Sequence, residues 1–93
     1  MDRTEASELL HDHLSSWKSR SYQELVDQVG ESHQNTVKGA SGTDYQVDVQ
    51  VVWDGDVHGN IRVIGSIDDG GWRAFVPLTD AFILAPDGSF VGE

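Results

Sequence analysis

The sequence predicts a two-layer α+β domain in which two N-terminal helices lie across one face of a four-stranded antiparallel meander. Three observations lead there. Apolar residues recur at helical spacing from Ala6 to Trp17, and they alternate with polar ones from Tyr45 through Ile67. Turn residues also separate the periodic stretches from one another. A sheet with one apolar and one polar face must be covered on one side only, and the helices supply that cover.

The first helix is expected over residues 2–18, because Ala6, Leu9, Leu10, Leu14 and Trp17 fall three and four apart with polar residues between them. Lys18 and Arg20 stand where the helix dipole favours cations. A second, short helix is expected over residues 22–29. Ser21 and Glu24 are spaced as a capping box ahead of Leu25, Val26 and Val29, and Gly30 offers the left-handed residue that ends a helix.

Asn35 to Lys38 predicts a short edge strand, closed by the loop Gly39-Ala40-Ser41-Gly42-Thr43. Tyr45, Val47, Val49, Val51 and Trp53 then alternate with Asp44, Gln46, Asp48 and Gln50, and Ile61, Val63, Gly65 and Ile67 resume the pattern after the loop Gly55–Gly59 reverses the chain. If Asp54 faces Asn60, Trp53 pairs with Ile61, Val51 with Val63, Val49 with Gly65 and Val47 with Ile67, which puts every apolar residue on one face. Asp69-Gly70 reads as a two-residue hairpin turn, setting Ile67 against Trp72, Gly65 against Ala74 and Val63 against Val76. Pro77 cannot donate to a ladder, so this strand lies at an edge there or bulges before the core-like run Ala81–Ala85. Pro86-Asp87-Gly88 predicts a final turn, with Phe90 and Val91 as a last pairing. The resulting layout resembles a reduced cystatin or NTF2 type, an N-terminal helix lying on a coiled sheet. The resemblance is one of architecture and carries no residue roles.

A chain of 93 residues fits a single domain, 1–93, with a core of its own. It has no cysteine, which fits a reducing cytoplasm and removes disulfides and thiolate chemistry. No basic-then-apolar N-terminal segment suggests a signal peptide, and no apolar run reaches the roughly 20 residues of a membrane span. The formal charge of −10 repels phosphate backbones and anionic lipid, so neither nucleic acid nor membrane is an expected partner.

Candidate chemistry is sparse. Asp54-Gly55-Asp56-Val57-His58-Gly59-Asn60 opens like a calcium-binding loop, but its twelfth position is Gly65 instead of the bidentate glutamate that closes such a loop, so a polar hairpin loop accounts for it better. His11 and His13 stand two apart on a helix, diverge by about 200° and cannot share an ion. No Gly-x-Ser-x-Gly elbow or phosphate-cradling glycine loop occurs, and Asp68 and Asp69 read as turn residues. Trp17, Trp53 and Trp72 read as core pillars. No catalytic residue, metal ligand or cofactor is assigned.

Two features stand out from that background. Val52, Ile64 and Phe75 are apolar on the nominally wet sheet face, with Ile64 expected opposite Phe75, and Val57 tips its loop, so these four form the expected contact surface. The small row Val49, Gly65, Ala74 on the core face is either a close helix contact or the floor of a small pocket. The leading expectation is a small acidic non-catalytic protein-interaction domain, binding a protein partner or a second copy. The alternatives are an NTF2-like small-molecule or enzymatic pocket domain and an acidic inhibitor or immunity-type protein.

Overall fold

The structure is a computed structural model that describes residues 2–70 and 77–92. Its elements are α1 (Arg3–Lys18), α2 (Tyr22–Val26), β1 (Ser32–Lys38), β2 (Asp44–Trp53), β3 (Ile61–Asp68) and β4 (Leu78–Leu84). The four strands form one antiparallel sheet in the order β1-β2-β3-β4, so each pairs with its neighbour in sequence. The α+β meander expected from the hydropathy pattern is the fold observed. Among the described residues no helix is long and apolar enough to cross a membrane.

Local chemistry sets the helix ends. Asp2 caps α1, its carboxylate accepting from the Glu5 N–H at 3.0 Å. Ser21 and Glu24 complete the capping box of α2, with Glu24 N–H donating to Ser21 Oγ at 3.2 Å and Ser21 N–H to Glu24 Oε1 at 3.4 Å. The α-helix stops at Val26, three residues short of the expected end. Gln28 and Val29 donate back only three residues, to Leu25 and Val26, which tightens the chain into successive turns. Gly30, at φ +88°, then swings its N–H onto the Val51 carbonyl of β2. β1 begins at Ser32, three residues earlier than expected, because Ser32 and His33 find ladder partners in Gln50 and Val49 despite weak strand propensity.

The register of β2 on β3 is the expected one, with Val49 opposite Gly65 and Trp53 opposite Ile61. The partner of β3 on its other side is not. Gly65 faces Asp80, Val63 faces Phe82 and Ile67 faces Leu78, so Ala74, Val76 and Trp72 do not take those places in the ladder. The slip is six residues, an even number, and alternation is blind to it, since Leu78, Phe82 and Leu84 keep the same parity as the residues they replace. β4 therefore starts directly after Pro77, whose missing N–H is not needed there. Trp72, Ala74, Phe75 and Val76 lie outside the described residues.

Among the described residues the core is one cluster between the sheet and the helices, in which Leu10, Leu14, Trp17 and Leu25 meet Tyr45, Val49, Val63, Ile67 and Phe82. α1 packs chiefly on β3 and β4. A Cβ on Gly65 would stand 2.9 Å from Leu10 Cδ1 and 3.0 Å from Leu14 Cδ2, so the row at Gly65 is a close helix contact and not a pocket floor. Trp17 is buried, whereas Trp53 is only half-buried at the core margin. Among the described residues, the buried Tyr45 Oη and His13 Nε2 have no hydrogen-bond partner.

Gly65→Val should push Leu10 and Leu14 off the sheet and lower unfolding stability by about 1–3 kcal/mol in urea denaturation. Ser21→Ala should lose roughly 0.5–2 kcal/mol by the same measurement, through the orphaned N–H groups of α2. Burial lowers the pKa of His13 below the ordinary value of 6.5. The unfolded chain then binds the extra proton first, and this residue withdraws stability as pH falls through about 6.5. His13→Leu should thus shrink the difference between urea midpoints at pH 7.5 and pH 5; an unchanged difference would assign that slope to other groups.

Candidate functional site: the open sheet face

Both helices sit on one face of the sheet, and strand pleating sends the intervening residues to the other. Reading across the ladders orders that open face into rows. At the end near the β2–β3 loop, Val52, Arg62 and Ile83 are cross-strand neighbours, and the next row holds Gln50, Ile64 and Ala81. Beyond them come Gln34, Asp48, Ser66 and Thr79, and then Thr36, Gln46 and Asp68. The face changes along the strands from aliphatic to amide and carboxylate.

The C-terminal segment extends the aliphatic end. Leu84 bridges to Phe90, and Val91 donates its N–H to the Ile83 carbonyl at 2.9 Å, which brings Val91, 44% exposed, to the edge beside Ile83. Val52, Ile64 and Ile83 are each half-buried, and none belongs to the core cluster under the helices. Arg62 within this patch is held by Asp54, Nη2 to Oδ1 at 2.7 Å. At the other end Lys38 pairs with Asp44 at 3.4 Å.

Asp48 and Asp68 have no cation beside them among the described residues, and each is bound only by hydrogen-bond donors. Ser32 Oγ donates to Asp48 at 2.9 Å and the Gly70 N–H to Asp68 at 2.8 Å. A shallow hollow of about 380 Å³ opens here, lined by Gln34, Gln46, Asp48, Ser66, Asp68 and Pro77.

Of the residues expected to form a contact surface, the fold brings Val52 and Ile64 together on this face. Ile64 stands opposite Gln50 and Ala81, so the expected Ile64–Phe75 pair gives way to Ile64–Ala81, and Phe75 itself lies outside the described residues. Val57 is 64% exposed but belongs to a loop drawn towards the helix layer: Tyr22 of α2 donates to the Gly59 carbonyl at 2.7 Å, and the His58 ring stands edge-on to Trp53 with centroids 5.5 Å apart. Ala81 and Ile83 were not expected on this face because Ala81–Ala85 is apolar at every position, as in a strand buried on both faces. The signal available was that only helices on one side existed to bury it.

Other polar groupings are less ordered. An open cleft of about 540 Å³ separates α1 from β4, with Arg3, Ser7, Glu8 and Asp80 on its walls. His11 lines an adjoining hollow with Glu8, Asp12 and Asp80, whereas His13 is half-buried with Nε2 enclosed, so the two histidines diverge as expected. Among the described residues no group of three or more His, Asp or Glu side chains is placed to hold a metal ion. In the calcium-like loop, Asp54 is already engaged by Arg62, and His58 takes a left-handed φ of +68°.

No family model, curated protein or solved structure matches this chain. The likeness to cystatin and NTF2 layouts therefore has no neighbour behind it.

Proposed function

We propose that this chain is a non-catalytic protein-interaction module that binds another protein through the open face of its sheet. The observation that carries the reading is that Val52 and Ile83, flanking Arg62, and Ile64 and Ala81 in the adjoining row share a face that neither helix covers. Contiguous aliphatic surface of this kind is rare on an isolated domain unless something docks there. Covering it contributes roughly 25 cal/mol per Å² of apolar area, which suits a reversible contact better than a permanent one. The absence of cysteine from the chain is in keeping with a cytoplasmic setting.

The double substitution Ile64→Ser with Ile83→Ser tests this. Because both side chains are half-exposed, it should cost about 1 kcal/mol or less per site, against the several that a core aliphatic loses. A photo-crosslinking residue placed at 64 should then yield a discrete adduct in the cell that one at Glu24, exposed on α2, does not. A severe loss of stability, or identical adducts from both positions, would return the patch to the monomer's own packing.

A further inference from the structure

The open face is graded and not uniformly apolar, and that gradient restricts what it receives. Resting on the contact-surface reading above, we propose that its occupant is a segment of another protein chain bearing aliphatic residues at one end and Lys or Arg at the other. The aliphatic side chains lie over Ile64 and Ile83, and the cations lie between Asp48 and Asp68.

Charge pairing on the face points to this occupant. Among the described residues, Lys38 and Arg62 on this face each already have a carboxylate, Asp44 and Asp54, while Asp48 and Asp68 have no group of opposite sign. Asp48 faces Ser66 and Asp68 faces Gln46, so the two carboxylates are diagonal cross-strand neighbours, roughly 7–8 Å apart. One ammonium or guanidinium group between them meets both. The amides of Gln34 and Gln46 border the same hollow and add hydrogen-bonding groups for a cation's neighbouring backbone.

Spacing defines the segment further. Ile64 and Asp68 are four residues apart on β3, about 13 Å along the strand, a distance covered by four residues of extended chain or by two to three turns of helix. A second copy of this chain is a poorer occupant. It brings a formal charge of −10 to a face whose unpaired groups are carboxylates, and like charges brought together across an interface select against that pairing.

The test uses a synthetic peptide with leucines at one end and lysines at the other, and a twin carrying glutamates in place of the lysines. The lysine peptide should bind, shifting the amide resonances of Ile64, Ser66 and Asp68, and the glutamate twin should not. Asp48→Asn with Asp68→Asn keeps the acceptors for Ser32 and Gly70 and should weaken binding about tenfold at low salt. Glu8→Gln with Asp12→Asn, equal in charge but on α1, should change it little. Equal weakening by the two pairs, binding of the glutamate twin, or no binding of either peptide would overturn the cationic assignment. So would self-association of the protein that Ile64→Ser abolishes, which would make the occupant a second copy. If the charge variants behave alike but Ile64→Ser still weakens binding, the contact surface stands without its cationic specificity. If Ile64→Ser changes nothing, the contact-surface reading itself fails.

Discussion

The approach of α1 to Gly65 is the contact on which the rest of the arrangement depends. A glycine in the middle of β3 removes the side chain that would hold the helix away, and Leu10 and Leu14 occupy the space. This seats the helix over β3 and β4 and so decides which part of the sheet is dry. Trp17, one turn beyond Leu14, then reaches the β1 side and meets His33 edge-on with ring centroids 5.0 Å apart. At the opposite end Glu5 fills the place that a side chain on Gly39 would take and accepts from Ser41 N–H and Oγ, tying the start of the helix to the β1–β2 loop. Two glycines, one in the sheet and one in a loop, thus define how the layers fit.

Much of this was readable from the residues because strand alternation and helix spacing report which face is buried. The cap at Ser21, the pairing of Val49 with Gly65 and the one-sided helix layer all follow from local pattern. The position of β4 was not readable, because alternation specifies a face and leaves the register open to shifts by pairs of residues. Asp69-Gly70 carries a strong hairpin signal, yet β3 takes Leu78–Leu84 as its partner, where Phe82 and Leu84 bring large side chains to the core. Tertiary burial outweighed turn propensity. The open face was legible in half: Val52 and Ile64 follow from the register of β2 on β3, whereas Ala81 and Ile83 required knowing where β4 lies.

The polar interior adds a second constraint. Tyr45 is fully buried with an unpartnered hydroxyl, and burial together with the nearby carboxylates of Glu5, Asp2 and Asp69 raises its pKa. The phenol therefore stays neutral, and its ring serves as packing at the end of the core nearest the helix start.

The sheet is a meander, and this has a kinetic side. Every ladder joins strands adjacent in sequence, so the sheet assembles through short-range closures of modest entropic cost. The docking of α1 on β4 is different: it brings together residues from opposite ends of the chain and gains nothing until most of the sheet exists. Local opening in the native state is accordingly expected to lift the helix as a unit, leaving a paired sheet with a bare strip along Gly65. In that state both faces of one small sheet present aliphatic surface at once, so the lifetime of the helix on its glycine governs how long the sheet keeps one of its aliphatic faces covered.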